Sequence, residues 1–269
     1  SPYVPSLHGL PPTLSIASLQ RDCVPGKLSD TVTMVEKFFP VGQIELDPPS
    51  DRIMLLSGPP SCGKTSLLFQ FASNFASSAS PTRRSVVFIC NRRRLENNPP
   101  YLSQGVDPCS GFFQRLRMKY LDSDEGLRKF FAAFHLFNSF PAAVVIDDFG
   151  DFFDERSCQE KYNNSRGRDI AMVRTLGLCC DAIAHAYKHQ PCSLLLSDTH
   201  HGDSPRLLFI YKRWIPCIFT IKGDGPGSFL LTRNAFHSNE CQEKSKTAKY
   251  SIALQYLVLE EITEGRTTK

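Results

Sequence analysis

Residues 58–65 place two glycines, a lysine and a threonine in the spacing GxxxxGK[ST]. Glycines let the main chain turn so that successive N–H groups point inward and surround phosphate oxygens. A helix that starts at this turn directs its positive end at the same anion. The lysine ammonium then contacts the outer phosphates, and the threonine hydroxyl binds Mg²⁺. The spacing predicts an ATP site, with Lys64 as a catalytic group, formed by Gly58, Pro59, Pro60, Ser61, Cys62, Gly63, Lys64, Thr65 and Ser66.

An apolar segment that ends in two carboxylates, residues 142–148, offers the second half of such a site. Asp147 is predicted to hold the Mg²⁺ together with Thr65, directly or through water, because carboxylate oxygens suit this ion. Asp148 is a candidate general base, although a helix cap or a surface acid would look the same. His200 follows a later apolar segment and is a candidate sensor of the terminal phosphate, whereas His201 could equally be a surface residue.

These side chains must be positioned by strands and helices that the pattern also indicates. Apolar segments at 53–57, 86–90, 142–146 and 193–197 predict strands, and the amphipathic segments 64–77, 125–137 and 169–189 predict helices. Further helices are expected at 30–40 and 112–121, a loop at 91–111, and a polar, mobile segment at 156–168. Later strands are expected at 215–222 and 228–232, joined by a glycine-rich turn, and at 251–260.

Alternating strands and helices indicate an α/β fold, in which a mostly parallel sheet is flanked by helices and extended by terminal antiparallel strands. The carboxyl ends of parallel strands meet at one edge, so the P-loop, Asp147 and His200 should converge there. We expect an N-terminal arm and lead-in helix at 1–50, the core at 51–262 and a tail at 263–269.

The composition of the 269 residues restricts the class of protein. Hydrophobic residues make up 41% and charged residues 22%, which is typical of a globular chain and excludes disorder, collagen and coiled coils. No apolar run approaches the about 20 residues that a membrane-spanning helix needs. The ten cysteines are scattered without a CxxC pair, which favours free thiols in a reducing compartment over a zinc site. No secretory signal is recognised.

These motifs together resemble the RecA/Rad recombinase family over roughly residues 30–260. The likeness follows the order of P-loop, second strand, Asp147-tipped strand, basic segment, long helix, polar-tipped strand and hairpin. Within this family the chain is most similar to the paralogues that act as small ATPase partners of SWIM-domain proteins in metazoan Shu complexes. Residues 55–69, 87–89 followed by Arg92 and Arg93, and 144–147 carry that closer match.

The resemblance implies a RecA-like P-loop core that binds single-stranded DNA in homologous-recombination repair. It also implies a protein partner, a SWIM-domain protein or a recombinase, in a hetero-oligomer rather than a self-filament, and a nuclear location. Residues 161–169 resemble the first DNA-binding loop of the family, and residues 201–213 lie where the second loop falls. The DNA-binding residues implied are Lys161, Tyr162, Arg166, Arg168 and Arg206.

Two departures from the family pattern alter what is expected of the chain. Strong ATPases of the family carry a glutamate just after the second strand, but here Asn91 is followed by three arginines, and the first carboxylate is Glu96. Because a positioned base contributes about 10²–10⁴-fold, slow hydrolysis is expected unless Asp148 substitutes. The Phe-x-x-Ala spacing used for self-assembly occurs here at residues 130–133, inside a predicted core helix.

Two other functions fit the same motifs. A small-molecule kinase also uses a P-loop, and Arg92–Arg94 could be read as its lid. A scaffold could instead keep ATP as a structural ligand without responding to hydrolysis. An AAA-type motor fits less well, because Asp147-Asp148 stands where such motors have Asp-Glu. The arginine clusters suit a phosphate backbone or, equally on charge alone, a solvated surface.

Overall fold

The computed structural model describes residues 34–40, 51–77, 84–107, 111–200, 208–235 and 245–265, all within one compact unit, Val32–Lys269. Six helices and ten strands are present in these ranges. The helices are α1 Lys64–Ser77, α2 Arg92–Asn97, α3 Asp124–Ala132, α4 Glu155–Tyr162, α5 Gly167–His189 and α6 Leu208–Trp214. The strands are β1 Ile53–Gly58, β2 Val86–Cys90, β3 Leu102–Ser103, β4 Leu116–Tyr120, β5 Ala143–Ile146, β6 Ser193–Thr199, β7 Cys217–Gly225, β8 Ser228–Ala235, β9 Ser245–Ala253 and β10 Tyr256–Gly265.

The strands form a single sheet in the order β3-β10-β9-β8-β7-β1-β6-β5-β2-β4. The strands from β7 to β4 in this order are parallel, whereas β7, β8, β9 and β10 pair antiparallel in succession. The predicted α/β class, with a mostly parallel sheet and terminal antiparallel strands, is confirmed. The P-loop strand β1 and the Asp147 strand β5 are not neighbours, because β6 lies between them.

Alternate residues of the central strands β1, β2, β5, β6 and β7 enter two separate hydrophobic layers. In β5, Val144 and Ile146 pack with α3, α5 and α6 on one face, and Ala143 and Val145 pack with α1 on the other. Because strand side chains alternate between faces, a strand that is apolar throughout must be covered on both. The segment around Phe38 adds to the α1 layer, where its ring contacts Phe71 at 5.5 Å between centroids.

Several local predictions are wrong. Residues 112–121 contain a 3₁₀ helix, Gly111–Arg115, and then strand β4 rather than one helix. Leu116 and Met118 alternate with exposed polar residues, which is the period of a strand, and β4 pairs in parallel with β2. The predicted loop 91–111 contains α2, whose first turn is capped by the side chain of Asn91.

The other differences concern chain segments near the ends and the polar segment. Residues 156–168, expected to be mobile, lie largely in α4, where Asp154 caps the helix by accepting from the Ser157 amide at 2.8 Å. The single strand expected at 251–260 is a hairpin that turns at Leu254 and Gln255, which have φ values of 50° and 66°. Of the helix expected at 30–40, the described part shows only the 3₁₀ turn Glu36–Phe38. The arm at 1–29 lies outside the described residues.

Candidate functional site

The turn between β1 and α1 has the main-chain conformations that its sequence predicts. Gly63 has a φ of 80°, and Ser61 also lies in the left-handed region, at 59°. A side chain on Gly63 would place its Cβ 2.8 Å from Cδ1 of Ile252. A Cβ on Gly58 would lie 2.7 Å from the sulfur of Cys62. Close packing therefore disfavours a side chain at both positions, and the left-handed φ adds a conformational reason for glycine at Gly63 alone.

A residue of strand β9 holds the main chain of this turn by a hydrogen bond. The buried Tyr250 hydroxyl donates a hydrogen bond of 2.7 Å to the carbonyl of Cys62. Burial raises the pKa of the Cys62 thiol, so this side chain acts as an apolar filler under the turn. Tyr250 was not predicted as a site residue. The alternation around residue 250 indicates a strand, but it does not show which residues that strand contacts.

The ammonium of Lys64 is buried and lies back over the turn. It donates to the carbonyls of Pro59 at 2.9 Å and Gly58 at 3.4 Å. Among the residues that the structure describes, no carboxylate pairs with it. A buried cation held only by neutral carbonyls favours an anionic ligand, because charges in such surroundings are otherwise paired.

Asp147 joins the two halves of the site. One of its oxygens accepts from the Thr65 hydroxyl at 2.9 Å, and the other accepts from Ser197 at 3.0 Å. Burial raises the pKa of Asp147 to about 6, and repulsion from Asp148 adds to this, whereas the two hydroxyl donors oppose it. The arrangement brings a hydroxyl and a carboxylate together as hard oxygen ligands. Ser197 was not predicted, since a serine inside a buried strand carries no distinctive motif.

Asp148 is held by contacts on several sides. Its backbone lies in the left-handed region, and its amide donates to Ser197 at 2.8 Å. One carboxylate oxygen accepts from Thr199 at 2.8 Å, and the other accepts from Arg94 at 2.7 Å. Arg94 also pairs with Asp151. Both carboxylate oxygens are therefore engaged by protein donors, which disfavours the expected use of Asp148 as a general base.

A cavity of about 140 Å³ lies beside these carboxylates. It is lined by Asn91, Arg94, Asp147, Asp148, Asp151 and Phe152. Asn91 occupies the position just after β2 where the resembled family has glutamate, and it faces the same cavity as Asp147. An amide cannot accept a proton from water at neutral pH, so the geometry offers no replacement base at this position.

His200 lies at the end of β6, directly beside the P-loop strand. Its amide donates to the carbonyl of Gly58 at 3.1 Å, and its Nδ1 is 2.9 Å from the Ser57 hydroxyl. The structure therefore brings His200 to the P-loop, as the sequence analysis expected. Next to it, Asp198 accepts from the buried Tyr211 hydroxyl at 2.6 Å, a pair that the sequence analysis missed. His201 lies outside the described residues.

The predicted DNA-binding residues are not equally available for a ligand. Arg168 donates to the carbonyls of Gly150 at 2.9 Å and Phe153 at 3.1 Å. Lys161 is 3.5 Å from Asp124, and the half-buried Tyr162 ring lies 5.2 Å from the guanidinium of Arg174. The side chain of Arg166 is exposed and makes no contact with another described side chain. Arg206 lies outside the described residues.

No protein-family model matches the chain, and no curated protein sequence matches it. In the described ranges there is no group of three or more His, Cys, Asp or Glu side chains that could hold a metal ion. The Thr65–Asp147 pair nevertheless fits Mg²⁺, which commonly takes only one or two protein carboxylates beside phosphate and water. No described helix is long and apolar enough to cross a membrane.

Proposed function

We propose that the chain binds Mg²⁺-ATP at residues 58–66 and hydrolyses it slowly. The contact of 2.9 Å between Thr65 and Asp147 carries the proposal, because it joins the P-loop to the tip of β5. The buried, carboxylate-free Lys64 ammonium and the left-handed Gly63 support the same ligand. A turn of inward N–H groups, a cation and a Mg²⁺-type oxygen pair together suit a triphosphate.

Each residue has a distinct part in this proposal. The main-chain N–H groups of residues 61–66 bind phosphate oxygens, since Pro59 and Pro60 have none, and Lys64 neutralises charge on the outer phosphates. Thr65 and Asp147 hold Mg²⁺, which stabilises negative charge on the phosphate chain when it is bound. Ser197 orients Asp147, and Ser57 orients His200, which we propose as the sensor of the terminal phosphate.

Slow turnover follows from the surroundings of the cavity. The position after β2 is an amide, Asn91, and the nearby Asp148 is paired with Arg94. Neither group is suited to take a proton from water. We therefore expect a rate below about 1 s⁻¹, at the bottom of the usual range for enzymes.

We propose further that the core is RecA-like and that the chain is a recombinase-paralogue subunit. In support, the chain order of P-loop, β2, the Asp147-tipped β5, long helix α5, polar-tipped β6 and the β7–β8 hairpin matches the order on which the resemblance rests. Its proposed partners are single-stranded DNA and a SWIM-domain protein or a recombinase, in homologous-recombination repair in the nucleus. Phe131 is 2% exposed, and Phe130 packs on it within α3, so residues 130–133 are poorly placed for self-assembly.

A titration with a fluorescent ATP analogue tests the central proposal. We expect micromolar binding that needs Mg²⁺ and weakens at least tenfold in Lys64→Ala and in Asp147→Asn. Lys188→Ala, at an exposed position near the end of α5, is the matched control. Absence of binding by the unaltered chain would refute the proposal.

The two alternatives are decided by different readouts. Phosphate transfer to an added small-molecule acceptor would establish the kinase. Unchanged DNA and partner affinity in Lys64→Ala would instead establish the scaffold with structural ATP.

A further inference from the structure

The free edge of the sheet at β4 carries a set of basic side chains that the P-loop site does not use. We call it the basic edge and define it as Arg92 and Arg93 of α2 with Arg117, Lys119 and Tyr120 of β4. The two parts are far apart in the sequence, but parallel pairing places β4 beside β2, the strand that leads into α2. In the β2–β4 register Lys119 lies beside Ile89, and Tyr120 lies beside Cys90, two residues before Arg92.

Most of the cations on the basic edge are exposed and unneutralised. Arg93, Arg117 and Lys119 form no side-chain hydrogen bond or ion pair with any residue that the structure describes. Arg92 pairs with Glu96 at 2.9 Å, but both side chains are more than three-fifths exposed. Such an exposed pair is weak and can be exchanged for a phosphate at little cost.

The basic edge also offers an aromatic ring. Tyr120 is 43% exposed, and the Arg92 guanidinium lies 5.3 Å from its ring centroid. Proteins that bind single strands without sequence preference combine cations along the backbone with aromatic rings on which bases stack. A phenol flanked by guanidinium supplies both on one surface.

The edge itself is open along β4. Among the described strands, β4 pairs only with β2 and ends the sheet. Arg117 and Lys119 project from one face of the strand, and Tyr120 projects from the other, so both sides of the edge can contact a chain that follows it. The nearby acids are Glu96 and Asp122, and Asp122 accepts from Asn91 at 3.4 Å.

The α4–α5 region, residues 155–168, has fewer unpaired cations among its described side chains than the basic edge. Arg156 pairs with Glu160 there, Lys161 contacts Asp124, and Arg168 is held by main-chain carbonyls. Among the described cations of 155–168, Arg166 is the one whose side chain forms neither a hydrogen bond nor an ion pair. Lys161 and Arg168 are held by protein groups, whereas the exposed Arg156–Glu160 pair is as weak as Arg92–Glu96, so this region offers fewer free cations to phosphate than the basic edge.

We propose that the basic edge binds the phosphate backbone of single-stranded DNA, with Tyr120 stacking on a base. The inference rests on the DNA-binding part of the proposed function and gives it a location. Binding is independent of sequence, because phosphate contacts position a chain but do not read bases. The edge lies at the same end of the sheet as the P-loop, and α2 connects the two through Arg94 and Asp148.

Fluorescence anisotropy with a labelled oligo-dT tests the location. The variant Arg117→Gln/Lys119→Gln should bind at least fivefold more weakly, and the slope of log K against log salt should fall by about 1.4 for the two lost phosphate contacts. Tyr120→Leu should weaken binding several-fold without changing the slope. Lys129→Gln/Lys188→Gln removes the same charge at other exposed positions and should bind normally.

The outcomes separate this inference from the proposals on which it rests. If the unaltered chain binds no DNA, with or without Mg²⁺-ATP, the proposal that it binds DNA is overturned. This outcome does not depend on the result of the ATP titration. Binding that survives Arg117→Gln/Lys119→Gln but is lost in Lys161→Gln/Arg166→Gln would return the interface to the α4–α5 region and overturn the inference. Equal affinity of the edge for a labelled oligoglutamate would also overturn it, in favour of an acidic protein partner.

Discussion

The hydroxyl of Tyr250 lies 2.7 Å from the carbonyl oxygen of Cys62, although 188 residues separate the two in the chain. One belongs to the antiparallel part of the sheet and the other to the P-loop. This bond ties the proposed nucleotide site to strands that carry none of its ligands. The shape of the turn therefore depends on residues well outside the motif.

Tyr250→Phe should loosen the turn without creating a cavity. The substitution leaves the buried Cys62 carbonyl without its donor, so we expect a loss of about 1–3 kcal/mol in the free energy of unfolding. The affinity for Mg²⁺-ATP should fall several-fold, since the N–H groups of the turn would be less well ordered. Urea unfolding and the ATP titration measure the two effects. Tyr256→Phe, at a half-exposed position, should change neither.

Gly63→Ala should be more damaging than an ordinary glycine substitution. The new Cβ would meet Cδ1 of Ile252 at 2.8 Å, and the φ of 80° is unfavourable for alanine. We expect a loss of about 1–3 kcal/mol from the strained backbone, and a smaller cost from displacing the Ile252 side chain. Ile252→Val should relieve part of the loss when combined with Gly63→Ala. Gly223→Ala, which meets nothing within 4 Å, should lie within about 0.5 kcal/mol of the unaltered chain.

The pH dependence of stability should report on Asp198. Burial raises the pKa of this carboxyl, and the hydrogen bond from Tyr211 only partly opposes the shift. The folded chain then holds the proton more firmly than the unfolded chain, so the stability that this group contributes is lost as the pH rises. Relative to Asp198→Asn, the unaltered chain should lose stability as the pH rises above about 4, the ordinary pKa of an aspartate. Thermal unfolding at low salt measures the difference, and a constant gap between the two chains would contradict the prediction.

His200→Ala should weaken the binding of ATP more than the binding of ADP. If His200 contacts the terminal phosphate, its loss removes a hydrogen bond of about 1 kcal/mol, which is about fivefold in affinity for ATP. The affinity for ADP should stay within twofold. Parallel titrations with both nucleotides measure the ratio. An equal loss for the two would show that His200 only supports the P-loop through Ser57.

Local patterns alone were enough for the elements that carry the proposed ligands. Helix α1 begins and ends at Lys64 and Ser77, as its periodicity predicts, and the apolar segments of β2 and β6 are strands. Such segments can be recognised from the sequence because their apolar residues recur with the period of a helix or a strand. This period is set by whether one face or both faces of the element are buried. The alternation of leucine, arginine, methionine and lysine at 116–119 carried the same signal, and it was misread as a helix.

The sequence by itself determined the glycine turn between β1 and α1, the Asp147 strand and the α/β class, because glycine turns, apolar runs and caps act over a few neighbouring residues. Tertiary structure alone decided that Arg94 reaches Asp148, that Tyr250 supports Cys62, and that Arg117 and Lys119 lie beside β2. These contacts depend on which strands are neighbours and in what register, and no local spacing encodes either. Those neighbours decide which charged side chains are paired and which can bind a ligand. This can therefore be assigned only from the assembled sheet.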